Sequence, residues 1–186
     1  MPTKMSKFHK VSYEQFRKDW LDTFYADEQD YIDPVTKEVD IQIDAAIRET
    51  YDGIQLPTRS TMMSAGYDFH MPMGFTLKTG KSIKIPTGIR CEMYDGWVLT
   101  IHPRSSLGFK YGLGMANHTC IIDGDYFEAD NEGHIMIKLV NDSSLAKNIR
   151  FDKGDKFCQG IFVPFGITLD DDVINVRTGG LGSTGR

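Results

Sequence analysis

The chain has 186 residues, 40% hydrophobic and 25% charged, with a formal net charge of −5 at pH 7. That composition suits one globular domain with a modest extension and excludes global disorder. It also excludes tight binding to a nucleic-acid polymer, because Lys and Arg form no basic stripe, and no apolar run is long enough to span a bilayer. The N-terminal MPTKMSKFHK is charged, with no apolar stretch behind it, so no secretory leader is expected. Cys91, Cys120 and Cys158 are widely spaced in apolar stretches and form no CxxC pair. They predict reduced, buried thiols in a cytoplasmic protein and no structural zinc.

Up to about Ile54 the pattern is helical. Ser12 and Gln15 have capping-box spacing, and Tyr13, Phe16, Trp20 and Phe24 follow at helical intervals. Asp33-Pro34 marks a turn. A second helix is predicted over Asp44 to Tyr51, where Ile43, Ile47 and Tyr51 share a face; the alternation of Val39, Ile41 and Ile43 leaves a short strand open there.

From Gly66 onward the period changes to two. Ile83 and Ile85 alternate with polar residues, as do Ile89, Cys91 and Met93, then Trp97, Leu99 and Ile101, then Ile135, Ile137 and Leu139. Glycine and proline punctuate between them, so the class predicted is all-β, a sandwich or barrel. Gly80-Lys81-Ser82 resembles the end of a phosphate-binding P-loop, but Phe75 occupies the place of its first glycine and a strand follows where a helix is needed. A hairpin turn is predicted instead. The five histidines show no close ligand spacing, so surface or satisfied core positions are expected for them.

Five segments carry chemistry beyond strands and turns. Ala65-Gly66-Tyr67-Asp68-Phe69 places an acid after a glycine in apolar surroundings. Pro103-Arg104-Ser105-Ser106-Leu107-Gly108 ends a strand and starts a helix; serine can cap it, the exposed N–H groups attract anions, and Arg104 offers a planar fork for phosphate. Asn117 to Tyr126 carries a carboxylate, Asp123, after Ile121 and Ile122, then a tight hairpin turn, then an aromatic ring. Gly154 to Ile161 enters a buried strand in which Gln159 needs a polar partner. The C-terminus from Arg177 is rich in glycine, hydroxyls and arginine, the inventory of a phosphate-wrapping lid.

In this order the five segments resemble the five motifs of the homotrimeric dUTPase family, from about Ser64 to Arg186. The resemblance implies a jelly-roll-like β-clip core over 55–176, an N-terminal helical extension over 1–54 and a glycine-rich lid over 177–186. It implies hydrolysis of dUTP to dUMP and pyrophosphate, limiting uracil in DNA and supplying dUMP for thymidylate synthesis. Asp123 is then the general base for a water beside the α-phosphate. Tyr126 packs under deoxyribose and excludes a 2′-hydroxyl, while Asn117, Ile121 and Ile122 form the uracil pocket. Arg104, Ser105, Ser106 and Gln159 contact phosphates, and Asp68 stands near the catalytic water. Met136 touches the nucleotide from the following strand. Arg177, Leu181, Gly182, Ser183 and Thr184 supply the tail's contacts.

The cofactor implied is Mg²⁺, held by substrate phosphates and waters without direct protein ligands, with Asp68 near its water shell. The partners implied are dUTP and two further copies of the chain, with shared active sites. Three features depart from the family: Leu181 stands where an aromatic usually caps uracil, the tail is one residue shorter between Arg177 and its glycines than in many members, and the loop Phe127 to Glu132 is longer. A related deaminase of dCTP needs a glutamate at the position of Lys138, which lysine cannot replace. A different alternative is a nucleotide-switched regulatory protein that binds a partner through the N-terminal helices.

Overall fold

The computed structural model describes residues 4–26, 39–142, 146–175, 177 and 179; the turn expected at Asp33-Pro34 lies outside them. The chain begins with β1 (Ser6–Lys10), α1 (Tyr13–Phe24) and α2 (Ile41–Asp52). Then come β2 (Thr58–Arg59), β3 (Tyr67–His70), β4 (Phe75–Leu77), β5 (Ser82–Pro86), β6 (Ile89–Met93) and β7 (Trp97–Pro103). Helix α3 (Ser105–Tyr111) leads into β8 (Leu113–Met115), β9 (Cys120–Ile122) and a 3₁₀ helix (Gly124–Glu128). The chain closes with β10 (Met136–Asn141), β11 (Ile149–Phe151) and β12 (Lys156–Pro164).

Among the described residues all strand pairings are antiparallel. A five-stranded sheet runs β2-β3-β12-β7-β9, a three-stranded sheet runs β5-β10-β8, and β1-β6 and β11-β4 form two-stranded sheets. The expected alternation is realised: Leu99 and Ile101, Ile137 and Leu139, and Ile89 and Cys91 point inward. The three thiols are free and buried, and burial pushes the Cys91 thiol up to about 12. No helix among the described residues is long and apolar enough to cross a membrane.

Four local expectations are corrected. The first is that the chain does not open as a helix: SKFHK is a strand paired with β6, Phe8 opposite Cys91. A single apolar residue in five carries little period, so only the partner strand, distant in sequence, defines this one. Second, α2 starts at Ile41 because the Asp40 side chain accepts hydrogen bonds from the N–H groups of Gln42 and Ile43, which removes the strand alternative. Third, Gly80 does turn the chain, at φ +68°, but the strands beside it join different sheets, so no hairpin forms. Fourth, the turn after Asp123 is the 3₁₀ helix and not a hairpin.

Helix α1 starts as expected, with the Ser12 hydroxyl accepting from the N–H of Gln15 at 3.1 Å. Its Phe16 and the Ile47 of α2 are fully buried in the same cluster as Phe69, Ile85, Ile101 and Phe157 of the sheets. The N-terminal helices therefore share one core with the strands.

Candidate active site

Strand order and register bring the first, second and fourth chemical segments together. Asp68 on β3 pairs with Gln159 on β12, and Gln159 pairs with His102 on β7, two residues before Arg104. Around them opens a cavity of about 240 Å³, lined by Asp68, Arg104, Ser105, Ser106 and Gln159 together with Ser60, Ser64 and Gly66. Gly66 leaves room for the Gln159 side chain: a Cβ there would stand 2.4 Å from the Gln159 Oε1 and push that amide from its place. The helix start is also corrected. Arg104 is itself the N-cap, with no side-chain cap bond, and both serines fall in the first turn of α3, on the cavity wall.

Asp68 is almost wholly buried yet surrounded by donors. Lys156 Nζ and Ser60 Oγ donate to its Oδ2 at 2.8 and 2.7 Å, and Arg104 Nε lies 3.5 Å from Oδ1. Burial raises the carboxyl's pKa, but the Lys156 and Ser60 hydrogen bonds and the Arg104 charge outweigh it and hold the group below the usual carboxylate range. The wall thus presents the Arg104 guanidinium and serine hydroxyls around one fixed anion, an arrangement suited to a phosphate chain.

The third segment is built elsewhere. Asp123 follows β9, and Arg177 Nη1 lies 3.1 Å from its carboxylate and 3.3 Å from that of Asp125. The same guanidinium stands 4.9 Å from the centre of the Tyr126 ring. Tyr126 is 2% exposed; its hydroxyl donates to the His134 carbonyl at 2.8 Å and accepts from Asn131 Nδ2 at 2.8 Å. Ile121 is 62% exposed, Ile122 is buried, and Asn117 is exposed beside them. Met136 lies half-buried on β10 opposite Pro86.

These two groups do not meet within one chain. On β7 the last rung to β9 is Leu99 with Ile122, whereas Arg104 follows the rung of Pro103 with Cys158. Asp123 and Arg104 therefore sit at opposite ends of β7, about 20 Å apart at the ~3.3 Å rise per strand residue. Leu181, Gly182, Ser183 and Thr184 lie outside the described residues.

Sequence reasoning missed Ser60, Ser64 and Lys156. Lys156 was within reach, because it belongs to the same short segment as Gln159, whereas the two serines belong to an unpatterned loop. The pairing of Arg177 with Asp123 had no signal in the spacing.

The sequence profile of the dUTPase family matches residues 52–185. The chain belongs to the dUTPase family. A deoxyuridine 5′-triphosphate nucleotidohydrolase of Lactococcus lactis is 39% identical over 136 residues, covering 72% of this chain and 89% of that one. One of Tolumonas auensis is 33% identical over 159 residues, covering 81% of this chain and 99% of the other. In three dimensions, the crystal structure of dUTPase from Streptococcus mutans superposes with a TM-score of 0.55 at 34% identity, covering 63% of this chain and 90% of that one. The fold is that of the dUTPases, mostly β with two N-terminal helices, and the activity is dUTP hydrolysis. The profile begins twelve residues before Ser64 and leaves β1, α1 and almost all of α2 outside it.

Proposed function

We propose that this dUTP diphosphatase works as a homotrimer whose sites combine the Asp68–Arg104–Gln159 cavity of one subunit with the Asp123–Tyr126 segment of another and the tail of a third. The observation that carries the reading is the separation along β7: no side chain spans about 20 Å, so one chain cannot hold both halves of a site. A second support is the run after β12, where Phe165, Ile167, Leu169, Val173 and Ile174 are all exposed. Apolar surface of that extent needs a cover, and a neighbouring copy supplies one.

In the assembled site Asp123 accepts a proton from a water as its oxygen bonds to the α-phosphorus. The bond from that phosphorus to the bridging oxygen breaks, and the electron pair leaves with pyrophosphate. Arg104, Ser105, Ser106 and Gln159 stabilise the charge that builds on the leaving group. Tyr126 lies under deoxyribose; Asn117, Ile121 and Ile122 hold uracil, Met136 touches the nucleotide, and Arg177 leaves its own chain's Asp123 to reach the phosphates of a site on other subunits as Leu181 to Thr184 close. Base choice follows from unpaired donors and acceptors when cytosine enters, at about 1–3 kcal/mol each.

The donor set suits a metal that arrives on the substrate. Both oxygens of Asp68 already face Lys156, Ser60 and Arg104, so Mg²⁺ would be held by the triphosphate and its waters, with Asp68 near that water shell. When bound, it neutralises phosphate charge. The antiparallel sheets support a jelly-roll-like β-clip core over 55–176, with 1–54 as extension and 177–186 as lid. The three reduced, buried thiols suit the cytoplasm.

The test is subunit complementation. Asp123→Asn and Arg104→Ala should each be inactive alone. Co-expressed in equal amounts, they should regain about a quarter of wild-type turnover, the chance that a cavity and an acid from two different copies are both intact. No recovery in mixed trimers would overturn the shared site.

A further inference from the structure

The segment that follows Tyr126 is held from outside the family-matched region. The Glu132 carboxylate accepts from both the N–H of Ser12, at 2.7 Å, and its hydroxyl, at 2.6 Å. It thereby takes the place that Gln15 would fill in a capping box, because the Gln15 side chain turns instead to Asp19 at 2.8 Å. Two residues on, His134 is fully buried. Its Nε2 accepts from the Gly88 N–H at 2.8 Å, so Nδ1 carries the proton and donates to Asp19 Oδ2 at 2.5 Å. The His134 carbonyl is the acceptor for the Tyr126 hydroxyl. Phe127 is clamped in turn: Arg90 donates to its carbonyl and stacks 3.6 Å from its ring, and the ring of His9 on β1 packs against it.

Glu132 stands in the left-handed region at φ +56°, followed by Gly133 at +66°. A non-glycine residue there is strained, and the two bonds to Ser12 are what its side chain gains in return. Gly133 has no alternative, since a Cβ would lie 2.5 Å from the Tyr126 carbonyl oxygen. The chain thus folds tightly back over Tyr126, and its returning end is fastened to the N-cap and body of α1 through Glu132 and His134.

We propose that Asp19 and Ser12, through His134 and Glu132, are positioning residues for the Tyr126 ring, so that β1 and α1 set the enzyme's discrimination between deoxyribose and ribose. The inference rests on the reading that Tyr126 lies under the sugar. A ring that excludes one hydroxyl must be fixed to a fraction of an ångström, and a 3₁₀ helix of five residues has little rigidity of its own. That rigidity comes from two carboxylate contacts between the extension and the loop: Asp19 of α1 on His134, and Glu132 of the loop on Ser12.

The experiment measures kcat and KM for dUTP and UTP, by pyrophosphate release, in the full-length chain and in Asp19→Ala, Asp19→Asn, Glu132→Gly, Glu132→Gln and Tyr126→Ala. Asp19→Ala and Glu132→Gly should raise the UTP-to-dUTP ratio of kcat/KM by about tenfold or more; Asp19→Asn and Glu132→Gln, which keep an acceptor, should stay within about threefold of wild type. Glu132→Gly also relieves the left-handed strain, so it folds even if Asp19→Ala does not. An unchanged ratio in folded Glu132→Gly, with Tyr126→Ala admitting UTP, would overturn the inference and leave the sugar reading intact. An unchanged ratio in Tyr126→Ala would instead remove the sugar reading and the inference with it.

Discussion

Asp68 and Asp19 are both carboxylates whose burial is outweighed by donors, Lys156 and Ser60 for the first, His134 and Gln15 for the second. Each is therefore held below its ordinary range in the folded chain. Protonation favours the unfolded state, so the stability they contribute is complete above the unfolded carboxylate value of ~3.9 and is lost as pH falls through the folded values. Asp68→Asn should flatten the acid limb of the stability–pH curve, measured by urea unfolding at stepped pH. A curve as steep as wild type would mean that the Lys156 contact holds equally well to a neutral group. Little at this scale was legible without the family. Asp68, Arg104 and Gln159 lie far apart in sequence, and only the strand order β3-β12-β7 makes them neighbours. Spacing could point to Asp123 but not to Arg177, because that pair depends on where the chain after β12 returns.

The elements were easier to read where burial repeats along the chain. Ile137 and Leu139, or Leu99 and Ile101, announce their strands because one face of each is covered. β1 was hidden, since its inward face is one phenylalanine. Boundaries followed side chains that bond the backbone, as Ser12 and Asp40 do. The N-terminal helices read as an appendage in sequence, yet Phe16 and Ile47 lie in the central cluster. Removing everything before Ile54 would open that cluster, so point changes are the cleaner probe. Phe16→Ala should lower unfolding stability by about 3–5 kcal/mol, as a core aromatic deletion does. Ile41→Ala, at a position 85% exposed, should stay within about 0.5 kcal/mol. Equal small effects in denaturant titrations would show that the helices fold apart from the strands.

For the molecule as a whole, the family fold and the activity followed from the order of five short segments, while the proposed division of labour between copies rests on the distance along β7, which the sequence alone does not measure. The thiols add a different property. Cys91, Cys120 and Cys158 are 1%, 4% and 0% exposed, and burial raises all three above the ordinary thiol range. A reagent that needs thiolate should leave the native enzyme unmarked and react only after denaturation; stoichiometric labelling in buffer would contradict this. Their placement makes them internal reporters. Cys91 lies in the ribbon with β1, and Cys158 in the centre of the largest sheet. Timed alkylation followed by peptide mass mapping can therefore date the peeling of the first strand separately from the collapse of the rest.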